Sequence, residues 1–181
     1  MNNRLQTYIE WMRARKSDFG DLRFAVDCSN GMASILVHEL FSDAVIINDT
    51  LDGTFPNHSP NPLKAEAREQ IAALVREKGL DCGVIFDGDA DRCMFVDEKG
   101  EFVQPDYLIP VVAKATLRND GALAVVRDGS TARAPSLHRV IHDVRTSRGA
   151  IEEIRRMGCE PLMVPVGHAF AKPILRESGA V

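Results

Sequence analysis

The sequence predicts an α/β fold in two consecutive parts, and three observations carry that prediction. Short runs of bulky apolar residues alternate with segments of helical periodicity. The stop signal Asn119-Asp120-Gly121 interrupts the alternation, and beyond it the pattern begins again with a strand. Within the first part, Asp97-Glu98-Lys99-Gly100 separates two apolar runs as a tight hairpin turn would. The 181 residues, 45% of them hydrophobic, suffice for one large domain or two small ones.

Leu5, Tyr8, Ile9 and Met12 recur at helical spacing, so residues 3–16 read as an amphipathic helix, with Trp11 near its apolar stripe. Leu22–Val26 is a strand, followed by the polar loop Asp27-Cys28-Ser29-Asn30-Gly31 and a helix over 32–41. That geometry can present helix N–H groups to an anion, but it is also how parallel α/β units turn a corner, and the loop reads as structural. Val45–Ile47 forms the next strand. The loop after it contains Phe55-Pro56-Asn57-His58-Ser59-Pro60-Asn61-Pro62, whose prolines exclude helix and central strand and make it rigid. His58-Ser59 invites a nucleophile reading with histidine as base, although adjacent residues on such a loop seldom face each other. A helix over 63–78 follows, with Pro62 near its first turn.

Cys82-Gly83-Val84-Ile85-Phe86 reads as a buried strand, and it runs straight into Asp87-Gly88-Asp89-Ala90-Asp91-Arg92. In extended backbone residues two apart point the same way, so Asp87, Asp89 and Asp91 can converge, with Gly88 and Ala90 adding no bulk. Two carboxylates about 4 Å apart repel by roughly 4 kcal/mol at an effective dielectric of about 20, so three call for a counter-charge. A divalent cation supplies it, and an oxygen-only donor set favours Mg²⁺ or Ca²⁺ over zinc or copper. A solvated turn is the bland alternative. An EF-hand loop, suggested by Glu98 twelve positions along, fails because Arg92 occupies the position that needs glycine and the flanks are strands.

Cys93–Val96 and Glu101–Val103 are the strands of the hairpin, and Asp106 reads as the N-cap of a helix ending near Arg118. A domain boundary is expected there. Ala122–Val126 starts the second part, residues 127–137 read as loop, and Val140-Ile141 is a short strand. Asp143-Val144-Arg145-Thr146-Ser147-Arg148 leads to a helix over 149–157, and its arginines suit a phosphate group. Pro161–Val164 is a strand, and Val166-Gly167-His168 opens a helix over 169–177 where a histidine could donate to a ligand oxygen. Ala180-Val181 reads as the start of a further strand in a truncated chain.

The balance of 26 acidic against 22 basic residues leaves a net charge of −4, with no basic stripe for nucleic acid. Cys28, Cys82, Cys93 and Cys159 form no C-x-x-C pair and read as buried free thiols of a reducing compartment. No apolar segment approaches a membrane span and no signal peptide opens the chain, so a cytoplasmic setting is expected.

Taken together, Val26–Met32, Asp52–Pro62, Asp87–Arg92, Asp143–Arg148 and Val166–Phe170 resemble, in order, the markers of the α-D-phosphohexomutase family in its phosphomannomutase/phosphoglucomutase branch. The resemblance implies two consecutive mixed-sheet α/β domains of the phosphohexomutase type, the second truncated. Residues 1–118 would be the family's second domain, with the metal-binding loop, and 119–181 part of its third, with the sugar-binding loop. It implies that Asp87, Asp89 and Asp91 hold Mg²⁺ and that Arg92, Arg145, Gly167 and His168 contact a hexose phosphate of mannose or glucose. The implied reaction is an isomerase's phosphotransfer, between O1 and O6, through a phosphoserine and a bisphosphate intermediate.

No phosphoserine loop of the Thr-Ala-Ser-His-Asn-Pro kind occurs here, so the catalytic serine belongs to missing domains and this fragment is expected to be inactive alone. The stretch at 127–138 looks longer than the family's usual path into Asp143. Alanine at position 90 leans towards phosphomannomutase or phosphoglucomutase. The competing reading is a non-catalytic divalent-cation-binding α/β module in which the acidic loop only stabilises the fold. A Mg²⁺-dependent phosphatase would require a nucleophile that the sequence does not offer.

Overall fold

The computed structural model describes residues 3–119, 124–125, 131–132 and 138–180. The chain divides into two units, Met1–Val103 and Gln104–Val181.

The first unit runs α1 (Asn3–Arg13), β1 (Phe24–Asp27), a 3-10 stretch Met32–Ile35 leading into α2 (Val37–Leu40), β2 (Val45–Ile47), and a 3-10 stretch Glu66–Arg68 leading into α3 (Glu69–Lys78). It ends with β3 (Cys82–Phe86), β4 (Cys93–Val96) and β5 (Phe102–Val103). The five strands lie in the order β2-β1-β3-β4-β5, with β1 parallel to both β2 and β3. β4 then turns back antiparallel to β3, and β5 antiparallel to β4, so the sheet is mixed.

The period-two alternation of strand side chains builds one layer on each face. Ala25, Ile85 and Val96 pack under α3 against Ala67, Ile71 and Val75. Phe24 and Val26, with Val84 and Phe86, pack on the opposite face against Ala33 and Val37. Full burial of each such Ile or Val contributes about 1.5–3 kcal/mol. α3 seats directly on β3 at Gly83, where an added Cβ would lie 2.7 Å from Ile71 and 2.8 Å from Val96. Gly83→Ala is therefore expected to destabilise the chain by about 1–2 kcal/mol through overpacking, read as a lower urea midpoint at unchanged slope.

The helix expected over 63–78 begins only at Glu69. Asn61 explains the delay: its side chain accepts the Leu63 N–H and its carbonyl the Lys64 N–H, so the chain after Pro62 turns before it coils. The helix expected over 32–41 is broken into two short pieces, and α1 stops at Arg13.

The second unit contains α4 (Pro105–Asn119), β6 (Ala124–Val125), β7 (Thr131–Ala132), β8 (Arg139–His142), α5 (Arg148–Arg156), β9 (Glu160–Met163) and α6 (His168–Ser178). β6 and β7 pair antiparallel, while β8 and β9 pair parallel with α5 as the crossover. Its core joins Ala113 and Leu117 of α4 to Val140, Ile154, Met157 and Cys159. That buried face assigns α4 to the second unit, whereas the sequence placed a boundary after it; the stop signal marks where a helix ends, not which core it serves. Asp106 falls within the first turn of α4, after Pro105, and its carboxylate accepts the Ser147 N–H at 3.3 Å rather than capping its own helix. Most of the long path expected at 127–138 lies outside the described residues.

No helix among the described residues is long and apolar enough to cross a membrane. All four cysteines are unpaired; Cys28 and Cys159 are buried and Cys82 half-buried. Cys93 departs from the expected burial and is exposed, because it opens β4 directly after the acidic loop.

Candidate metal and phosphate site

Three loops leave the same edge of the sheet. β1, β2 and β3 are parallel neighbours, so the chain after each emerges at their shared C-terminal edge, where ligands of open α/β sheets sit. Residues 28–31, 48–62 and 87–92 form these loops. Among the described residues, the five non-glycine positions with positive φ all lie in them: Ser29, Asn30, Asn48, Phe55 and Ala90. Asparagine tolerates this backbone, but Phe55 at φ 50° and Ala90 at φ 61° cost about 1–2 kcal/mol each. Strain of this kind persists where surrounding contacts over-determine the loop, and it concentrates at functional sites.

The β3–β4 hairpin carries the acidic loop. One carboxylate oxygen from each of Asp87, Asp89 and Asp91 lies within 4.8 Å of the others. Asp87 is fully buried, and the other two are exposed. Arg92 fixes Asp87 in place: its backbone N–H donates to Oδ1 at 3.1 Å and its Nε–H to Oδ2 at 2.6 Å. Burial opposes the charge on Asp87, but the backbone and guanidinium donors of Arg92 outweigh it and hold the carboxyl below its ordinary range. Asp91 shifts the other way, pushed up by its hydrogen bond to Asp87 and then by the charge of Asp89. Arg92 alone does not balance this crowding. The donor set, three hard oxygens on one hairpin with two of them open to solvent, fits a divalent cation such as Mg²⁺ that keeps water in its remaining positions.

The hairpin's backbone is held from both sides. Gly88 N–H donates to Pro60 O at 3.2 Å, and Gly88 O accepts Met32 N–H at 3.0 Å. Gly31 lies so close that a Cβ there would meet Gly88 O at 2.5 Å. On the other flank Phe55 and Pro60 would each be 3.2 Å from a Cβ at Gly88. Ser29 Oγ donates to Phe86 O at 2.6 Å, tying the first loop to the end of β3.

Beneath these contacts lies a buried pair that the sequence did not reveal. His58 Nε2 is 3.0 Å from Asp27 Oδ2, with the side chains only 4% and 0% exposed. Asp27 Oδ1 also accepts the Ser29 N–H at 2.8 Å and Asn48 Nδ2–H at 3.0 Å. Asn57 Nδ2 donates to Asn30 Oδ1 at 2.8 Å, and Asn30 Nδ2 to Thr50 O at 2.8 Å, closing the network. Neither ring nitrogen of His58 faces the Ser59 hydroxyl: Nδ1 is 2.9 Å from Ser59 O. The base-and-nucleophile reading of His58-Ser59 has no support in this geometry, and the loop 27–31, read as structural, supplies Asp27 to this buried pair.

Of the other expected substrate contacts, Arg92 is engaged by Asp87, with Nη1 3.4 Å from Asn61 Oδ1. Arg145, Gly167 and His168 belong to the second unit. There the Arg145 Nε–H is shared between both oxygens of Asp143 at 3.1 Å, which raises the arginine and lowers the carboxyl from their ordinary ranges. Gly167 adopts φ 120°, a conformation suited to glycine, and His168 begins α6 directly after it.

Residues 3–100 match phosphoglucomutase/phosphomannomutase, alpha/beta/alpha domain II. The chain belongs to this family. It is 32% identical over 170 residues to a phosphomannomutase of Escherichia coli K12, a match covering 88% of this chain and 34% of that protein. Against a phosphomannomutase of Methanocaldococcus jannaschii the identity is 35% over 164 residues, covering 88% and 33%. The crystal structure of a phosphoglucomutase/phosphomannomutase family protein from Burkholderia thailandensis superposes with a TM-score of 0.81 at 30% identity, over 97% of this chain and 36% of that one. The chain thus spans about a third of the length of the family members it matches. The α/β/α layering of residues 3–100 is the architecture named for the family's domain II, and the acidic hairpin and the three site loops all fall within that match.

Proposed function

We propose that this chain supplies the magnesium-holding part of a phosphohexomutase that interconverts hexose 1-phosphates and 6-phosphates, of mannose or glucose, through a phosphoserine and a bisphosphate. The observation that carries the reading is the convergence of Asp87, Asp89 and Asp91 within 4.8 Å on a hairpin held rigid on both flanks. Asp87, Asp89 and Asp91 would hold the cation. When bound, it would spread the charge of a phosphoryl group in transfer, the main demand of that chemistry.

The chain's own residues have separable tasks. Arg92 orients Asp87 through two hydrogen bonds and keeps the buried carboxylate charged. Arg145 would exchange its exposed bond to Asp143 for a phosphate of the sugar, and Gly167 and His168 would present N–H donors to the same group. The phosphoserine would come from another domain of a full-length enzyme in the cytoplasm, with neither nucleic acid nor membrane as partner. Alone, the chain is expected to form no hexose 6-phosphate from mannose or glucose 1-phosphate with Mg²⁺ and a trace of the bisphosphate.

The deciding test is calorimetric. Asp89→Asn is expected to weaken Mg²⁺ binding at least tenfold while leaving the circular dichroism spectrum and unfolding temperature of the metal-free chain in place. Unchanged Mg²⁺ affinity, with only the unfolding temperature lowered, would mean that the acidic loop serves the fold alone.

A further inference from the structure

We infer that Asp27 and His58 are positioning residues, a buried clasp that sets the backbone of the acidic loop, and that His58 carries a proton on each ring nitrogen to do so. The inference deepens the proposed magnesium site and rests on it for its functional meaning, though not for its geometry. His58 stands between two acceptors: the Asp27 carboxylate at 3.0 Å on Nε2 and the Ser59 carbonyl at 2.9 Å on Nδ1. A neutral imidazole has one N–H and would leave one of these contacts without a proton; the imidazolium satisfies both. Asp27 accepts at its other oxygen as well, from the Ser29 N–H and Asn48 Nδ2–H, so both of its oxygens serve as acceptors in this arrangement. The resulting pair is neutral overall, which is what its burial requires.

The clasp reaches the metal hairpin through two short paths. One passes from His58 through the Ser59 carbonyl to the next residue, Pro60, whose carbonyl accepts the Gly88 N–H at 3.2 Å. The other runs from Asp27 to Ser29, whose hydroxyl donates to Phe86 O at 2.6 Å, one residue before Asp87. Gly88 lies between Asp87 and Asp89, so its placement sets where both carboxylates begin. Of the charged groups at this edge, Asp27 faces the ring; Asp49 is paired with His38 at 2.7 Å and Asp87 with Arg92. The Cys28 thiol beside Asp27 is neutral, its pKa pushed up by burial to about 12. The hydrogen bond that His58 donates to Asp27 also raises the His58 pKa above its ordinary value against the opposing effect of burial.

The test uses the whole chain and His58→Gln, which keeps one donor for Asp27 but cannot donate in both directions as the imidazolium does. Nitrogen-15 spectra of the wild type at pH 6.5 are expected to show both His58 ring nitrogens protonated. In the metal-free variant, amide exchange at Gly88 is expected to speed up at least tenfold while exchange at Ile85 in β3 stays unchanged. Mg²⁺ affinity is expected to fall about tenfold with the circular dichroism spectrum unaltered. A singly protonated ring in the wild type, or Gly88 exchange equal to wild type in the variant, overturns the clasp. Equal Mg²⁺ affinity in variant and wild type overturns its positioning role. If the wild type binds no Mg²⁺ yet Gly88 exchange responds as expected, the metal reading fails and the clasp stands.

Discussion

Asp27→Ala is expected to cost about 3–5 kcal/mol of folding stability, because it removes one partner of a buried charge pair and strands the other. It also leaves the Ser29 N–H and Asn48 Nδ2 without the acceptor they share. The same pair gives stability a pH dependence of defined sign. His58 has a folded pKa raised above 6.5, so the folded state holds the proton more tightly than the unfolded chain. The stabilisation is therefore fully present below about pH 6.5 and is lost as pH rises through the raised value. Asp27→Asn reverses the slope: a buried ring facing a neutral amide favours its neutral form, so the variant should lose stability as pH falls through 6.5. Urea unfolding of wild type, Asp27→Asn and Asp27→Ala between pH 5 and 8.5 checks both statements. Parallel curves for wild type and Asp27→Asn would show that His58 holds no extra proton.

Much of the fold was legible because it is written in local periodicity. β2, β3 and β4 fall where their apolar runs end against polar loops, and the acidic triad was legible because its members are two residues apart in one short loop. What escaped detection depends on distance along the chain. Asp27 and His58 are 31 residues apart, and nothing local distinguishes a carboxylate that caps a strand from one that receives a buried imidazolium. The one usable signal was a carboxylate directly after the run Leu22–Val26, since a charge at the end of a strand that proves fully buried needs a partner. The late start of α3 escaped for a related reason. Pro62 permits a helix to begin, but the side chain and carbonyl of Asn61 compete for the next N–H groups, and propensity does not foretell that outcome. Membership of α4 in the second unit was likewise a question of which core its Ala113 and Leu117 enter.

Gly31→Ala is expected to destabilise the chain by about 3 kcal/mol, at the upper end of the range for overpacking. The added methyl would lie 2.5 Å from the Gly88 oxygen and 2.9 Å from its carbonyl and α carbons. At Gly83 the crowding atoms are side-chain carbons of Ile71, Val75 and Val96, which can give by small rotations; at Gly31 they are backbone, and relief requires the hairpin itself to move. Movement there lengthens the Met32 N–H to Gly88 O bond and displaces the start of Asp87 and Asp89 together. The substitution should therefore lower Mg²⁺ affinity at least tenfold in the fraction that remains folded, a loss that a purely structural contact would not produce. Gly53→Ala is the matched control, since a Cβ there meets nothing within 4 Å although the residue lies in one of the same three loops. Denaturant unfolding and calorimetry on both variants separate the outcomes. Equal stability and equal Mg²⁺ affinity in Gly31→Ala and Gly53→Ala would show that the close approach of the two backbones does not hold the acidic hairpin.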